Sequence, residues 1–226
     1  MAPYHDETTA LRQSNWIVFY VSVLPAYGEE RLADMKRVID KTADLLAEDS
    51  FYAGVNNHGM YQDFALILYY IVFKEMPNAA AYKTKALKRL KEYFSFVYTS
   101  DGVHREHTPL YHYLITRDMY NRIELFRFID EPFAKFLQEL YEKSLYYSTY
   151  IIKPDGCFPQ IGDSECGRIS DRSEFVELYD DPIFKWSLSS GRTGKPPRET
   201  SMLFPDAGYA IFRNTWEDFE HCLYFA

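Results

Sequence analysis

The stretch VNNHGMYQDFALILYYIVFK, residues 55–74, decides how this chain is read. Its centre, FALILYYIVF (64–73), is apolar on every side of a helical wheel. A helix of that kind is buried all round. The run is too short to span a bilayer, and so is the earlier run from Trp16 to Leu24. Asn56, Asn57, His58 and Gly59 stand directly before it. Asn is a good N-cap and Gly permits close backbone approach, so a helix is predicted from about Gly59 to Lys74 with a polar start. Two readings of that start stay open on residue types alone. In one, Asn57 caps the helix and His58 fills space. In the other, both hold a carboxylate, because free N–H groups and partial positive charge gather at a helix N-terminus.

Outward from this segment the pattern stays helical. Residues 9–24 read as one helix stopped at Pro25, and a second runs from near Gly28 to Glu48 with Leu32, Met35, Val38, Ile39, Ala43 and Leu46 at helical spacing. Further helices are predicted over 78–98, over 108–128, from Asp130-Glu131-Pro132 to Ile151, and over 173–188. Amphipathic helices alternating with fully buried ones fit a toroid of helical hairpins, whose inner ring is covered by an outer one. Periodicity alone also fits another large all-α fold. After Leu188 the composition shifts. SSGRTGKPPRETS reads as loop or linker, and FPDAGYAIFRN (204–214) and HCLYFA (221–226) read as two short strands around a turn at 214–218. Two strands cannot stand alone. The expectation is a piece of a longer protein: helical over 1–190, linker over 191–203, and the opening of a β-domain over 204–226.

Composition narrows the function. The chain has 226 residues, 47% of them hydrophobic, enough for one sizeable core or a domain and a half. The net charge is -8 with no Lys/Arg block, which speaks against nucleic acid. Aromatic residues reach 18%; they suit sugar rings, and they equally suit helix–helix layers. Cys157, Cys166 and Cys222 have neither disulfide-framework nor zinc-site spacing. The N-terminus MAPYHDETTALRQ lacks the basic region of a signal peptide.

Two further segments carry chemistry. DGVHREHTPLYHYLITRDMY (101–120) gathers His104, Glu106, His107, Tyr111, His112 and Tyr113 around Pro109. A helix beginning near His107 puts Tyr111 one turn on, on the same face. A Tyr serves as acid or base where nearby positive groups lower its pKa. A metal held by His104, His107 and a carboxylate would lack a fourth ligand, so no metal or cofactor is expected. KPDGCFPQIGDSECGR (153–168) supplies Asp155, Asp163 and Glu165, which are either a glycosidase carboxylate set or turn chemistry around Asp155-Gly156.

Taken in order, NNHG (56–59), DGVHREHTPLYHYL (101–114), PDGCFPQIGDSE (154–165) and FPDAGYAIFRN (204–214) resemble the heparinase II/III superfamily of polysaccharide lyases, which includes heparin/heparan sulfate and alginate lyases. The resemblance runs from about residue 30 to the end. It implies a mainly α fold, part of an incomplete α/α toroid, followed by the first strands of a truncated antiparallel β-sandwich. It also implies β-elimination at a uronic acid, with Asn57 and His58 on the carboxylate and Tyr111 as acid, the base role being open to it as well. Gln62, Glu106, His107, His112, Tyr113 and Asp163 follow as substrate-binding or supporting residues. The family's further His comes from the β-domain; His221 lies in what reads as an opening strand and does not match it, so the piece alone is expected to be inactive. The implied partners are an acidic polysaccharide and the missing β-domain, with no nucleic acid, no membrane insertion and no cofactor. The implied location is periplasmic or secreted. Two other readings remain: a toroid hydrolase using Asp155 and Asp163, and a non-catalytic glycan-binding protein.

Overall fold

The computed structural model describes residues 5–165, 167–217 and 222–225. Long helices come first: α1 (Asp6–Arg31), α2 (Ala33–Ala47), α3 (Asn57–Val72), α4 (Ala79–Val97), α5 (Pro109–Ile129) and α6 (Glu131–Tyr150). Two short helices follow, α7 (Ser173–Val176) and α8 (Pro182–Leu188), and then strands β1 (Ser201–Phe204), β2 (Tyr209–Arg213) and β3 (Cys222–Phe225). The chain divides into two compact units at Ser95/Phe96.

In the first unit α3 is the central element. None of its residues is fully exposed, which is the all-round burial that its apolar centre demands. Ala10, Ile17 and Tyr20 of α1, and Ile39, Ala43 and Leu46 of α2, are buried with it. The Gln13 side chain donates to the Ile39 carbonyl at 2.8 Å and ties α1 to α2. Ring contacts join α3 to α4, Phe64 with Phe94 and Tyr69 with Tyr82. Asp63 of α3 is buried opposite Arg89 of α4, with 3.5 Å between Oδ1 and Nη1. Burial pushes the Asp63 carboxyl up to about 8 despite that guanidinium.

Helix α1 differs from the expectation that Pro25 ends it. The helix runs on past Pro25 and is broken at Gly28, with φ 74° and ψ 162°, where a second helical stretch begins near the position expected for it. Proline removes one N–H and strains one turn, whereas the glycine takes the positive φ that turns the chain.

The second unit is built on α5 and α6. Asp130 caps α6 by accepting the Phe133 N–H at 3.1 Å, and Pro132 sits in the first turn as anticipated. Val103, Tyr113, Tyr147, Ile151, Phe158, Phe175, Phe184, Tyr209 and Ile211 share one buried cluster, so helices and sheet have a common core. The strands form an antiparallel sheet in the order β1-β2-β3, with Phe204 opposite Tyr209 and Arg213 opposite Cys222. Phe204, Tyr209, Ile211 and Arg213 are buried, whereas Leu203, Phe212, Leu223 and Phe225 are exposed. This is the alternation of a pleated strand with one covered face.

Two local expectations are corrected. The segment read as linker, 191–203, already contains most of β1; Met202 pairs with Ile211 and is drawn into the sheet by contact with the core. The single helix expected over 173–188 is a 3₁₀ turn (Ile169–Asp171) followed by two short helices. Asp181 accepts the Ile183 and Phe184 N–H groups and Pro182 takes the first position, so a new helix starts there.

Candidate functional residues at the starts of α3 and α5

The N-terminus of α3 separates NNHG into two kinds of residue. The cap is Asn56, whose Oδ1 accepts the Gly59 N–H at 3.0 Å while its Nδ2 donates to the Ala53 carbonyl at 2.8 Å. Gly59 is required sterically: a Cβ there would lie 2.0 Å from the Gly54 carbonyl oxygen. Gln62 is fully buried, accepts the Ala53 N–H at 2.8 Å and donates to the Phe51 carbonyl at 3.0 Å. These three residues fold residues 51–56 down over the helix start. Gln62, expected to touch substrate, is here a brace for the loop.

Asn57 and His58 remain facing outward, both half-buried. Asn57 Oδ1 accepts the His58 N–H at 3.0 Å, and its Nδ2 hydrogens have no partner among the described residues. His58 is engaged by the first turn of α1. Its Nδ1 lies 3.1 Å from Asp6 Oδ1 and its Nε2 lies 3.4 Å from Glu7 Oε2. His5 adds a ring at 5.5 Å and places its own Nδ1 3.1 Å from the same Asp6 oxygen. Partial burial works to raise the Asp6 carboxyl, but the Glu7 N–H and the two histidines outweigh it and hold it below the ordinary value. Sequence reasoning missed this acidic pair. The only available signal was two carboxylates in the first turn of a helix some fifty residues away.

The start of α5 likewise divides presented residues from bracing ones. Tyr111 is half-buried and begins the least covered stripe of α5, continued by Leu114, Arg117 and Asn121. Glu106 and His107 are exposed in the preceding loop. His107 has a φ of 53°, and its ring stacks on Tyr209 while its carbonyl accepts the Tyr209 hydroxyl at 2.9 Å. Asp163 is exposed in a loop fitted closely against Thr108. Its N–H faces Thr108 Oγ1 at 3.5 Å, and Ser164 Oγ accepts the Leu110 N–H at 3.1 Å.

His112 and Tyr113, expected among the substrate-binding residues, are placed on the inner side of α5. Both are buried. His112 Nδ1 accepts the His104 N–H at 3.3 Å, so its proton resides on Nε2, 2.9 Å from Ser148 Oγ. Tyr113 donates its hydroxyl to the Ser148 carbonyl. Burial holds His112 down to about 3 and His104 to about 4, so both are neutral at pH 7. They form a buried polar pair within the second unit.

Asp155 is a turn residue, accepting the Cys157 N–H at 3.0 Å and pairing with Lys153 at 2.9 Å. Partial burial opposes these contacts but does not prevail, and its carboxyl lies below the ordinary value. A general acid of a hydrolase needs the reverse. His221 lies outside the described residues.

The chain is mainly helical and ends on antiparallel strands, with polar groups at the starts of α3 and α5. The family described as Heparinase II/III N-terminus matches residues 9–182, and the chain belongs to that family. The heparin-sulfate lyase of Bacteroides thetaiotaomicron is 26% identical over 193 residues, 77% of this chain and 27% of that protein. The heparin-sulfate lyase of Pedobacter heparinus is 21% identical over 204 residues, 85% of this chain and 30% of that protein. Among solved structures, Heparinase III aligns with a TM-score of 0.77 at 20% identity, covering 98% of this chain and 37% of that one. Heparan sulfate lyase HepC from Pedobacter heparinus aligns with a TM-score of 0.74 at 17% identity, covering 98% and 36%. The structural likeness carries the fold, mainly helical with closing antiparallel strands. The chain spans about a third or less of the curated relatives it matches.

Proposed function

We propose that this chain contributes to a polysaccharide lyase that cleaves uronic-acid-containing glycans by β-elimination. The observation that carries the reading is Asn57: a side-chain amide with unpartnered hydrogens, held on the first turn of a buried helix in a chain of the heparinase II/III family. Such a group donates to a carboxylate, and the helix N-terminus adds partial positive charge.

Three tasks follow from the chemistry. The uronate carboxylate must be neutralised, so that the C5 proton becomes acidic and the developing enolate is stabilised. Asn57 and His58 take this task. A base must remove the C5 proton, and an acid must protonate the leaving glycosidic oxygen as the C4–O bond breaks and the C4–C5 double bond forms. Tyr111 takes the acid task and is available for the base task as well. Glu106, His107 and Asp163, exposed around the start of α5, are assigned to the glycan. The names of the relatives favour a sulfated, heparin-type substrate, and the family resemblance favours a periplasmic or secreted location. Among the described residues no helix is long and apolar enough to cross a membrane.

The test uses the full-length protein with a uronate polysaccharide and follows near-ultraviolet absorbance. The expected product absorbs through its new double bond. Cleavage without that absorbance would replace the lyase with a hydrolase, and binding without cleavage would leave a glycan-binding protein.

A further inference from the structure

His58 stands between two carboxylates, those of Asp6 and Glu7. Its Nδ1 faces Asp6 Oδ1 at 3.1 Å, and His5 Nδ1 faces the same oxygen at 3.1 Å. A carboxylate oxygen only accepts, so both rings carry their proton on Nδ1. On the far side of the ring His58 Nε2 faces Glu7 Oε2 at 3.4 Å, a contact that either a proton on Nε2 or a metal ion between the two atoms satisfies.

We propose that His5, Glu7 and His58 bind a divalent transition metal of the zinc class, with Asp6 orienting both imidazoles through Nδ1. One donor atom from each of the three residues lies within 4.8 Å of the others. The His58–Glu7 pair already has the right separation: around a tetrahedral ion with bonds of about 2.0 Å, neighbouring donors stand about 3.3 Å apart. His5 is half-exposed and completes the set with its ring held by Asp6. A carboxylate holding the far nitrogen of a ligating histidine is the usual outer shell of zinc sites; it fixes the tautomer and raises the basicity of the ligand. Here one carboxylate serves two histidines. Two carboxylates, Asp6 and Glu7, converge here, and a dication balances their charge. Three protein ligands leave a fourth position for water or an anionic group. The sequence does not announce such a site, because His5-Asp6-Glu7 and His58 come from different helix starts.

The inference concerns metal binding; it shares His58 with the lyase reading and is tested without glycan. The test is zinc titration of the purified chain against a chromophoric competitor, with no glycan present, and with circular dichroism to confirm that each variant is folded. One zinc per chain is expected. Affinity is expected to fall at least about tenfold in His5→Ala and again in Glu7→Gln, with Asp6→Asn weakening it about 10- to 100-fold through the outer shell. Cobalt in place of zinc should give the visible bands of four-coordinate geometry. Failure to bind zinc below millimolar concentration, or unchanged affinity in either His5→Ala or Glu7→Gln, would overturn the proposal. Either result would leave the double-bond assay of the lyase reading untouched.

Discussion

Asn56 Oδ1 accepts the Gly59 N–H at 3.0 Å, and this one bond takes the capping role away from Asn57. Two adjacent asparagines of identical chemistry thus acquire different tasks. Asn56→Ala should cost about 1 kcal/mol of stability through the lost cap. Asn57→Ala should stay within about 0.5 kcal/mol of the parent and instead lower activity of the full-length protein on a uronate glycan. Thermal unfolding and the absorbance assay on both variants check the division; equal stability losses would refute it.

Gly59→Ala tests the close approach over α3. The new methyl would meet the Gly54 carbonyl at 2.0 Å and the Tyr52 ring at 2.9 Å. Overpacking of this kind costs roughly 1–3 kcal/mol. For a chain of this size that is a fall of several degrees in Tm, read by calorimetry. The loop must move, so activity should fall together with stability.

Tyr111→Phe and Tyr113→Phe remove the same atom from neighbouring positions with opposite expected results. Tyr111 is half-buried and has no described partner, so its loss should leave Tm unchanged and reduce turnover of the full-length protein by about 100-fold or more, the scale of general acid–base catalysis. Tyr113 is buried and donates to the Ser148 carbonyl. Its loss should cost about 1–3 kcal/mol by stranding that carbonyl, with chemistry otherwise intact. Tm and initial rates on both variants decide between these roles.

The two units should respond to pH in opposite senses. Asp63 is raised from 3.8 to about 8, so the folded state holds a proton that the unfolded state releases. Its contribution is full below pH 3.8 and is lost as pH rises toward 8. Asp63→Asn should flatten that limb. His104 and His112 are lowered from 6.5 to about 4 and about 3. Their contribution is present above pH 6.5 and is lost as pH falls toward 3, because the unfolded chain binds the protons. Tm measured across pH 3–9, for the parent and Asp63→Asn, checks both limbs.

Much of the fold was legible because it depends on local pattern. The apolar run 64–73 could be satisfied only by burial on all sides, and Asp130-Glu131-Pro132 is a helix start by capping chemistry alone. The exceptions turn on competition between signals. Pro25 reads as a stop, but the positive φ that bends the chain belongs to Gly28. Ser201–Phe204 sits within a Gly/Pro-rich stretch and becomes a strand because β2 offers it a hydrogen-bonding edge.

The candidate residues were legible by type and not by direction. Residue order alone placed Asn57, His58 and Tyr111 at helix starts, since caps, prolines and apolar periodicity act over a few neighbouring positions. Tertiary structure decided which side chains face outward. It turned Gln62, His112 and Tyr113 inward, because buried N–H and C=O groups from distant segments need their polar atoms. It also brought Asp6 and Glu7 to His58, a meeting set by how α1 packs on α3 and therefore absent from any local window of the sequence.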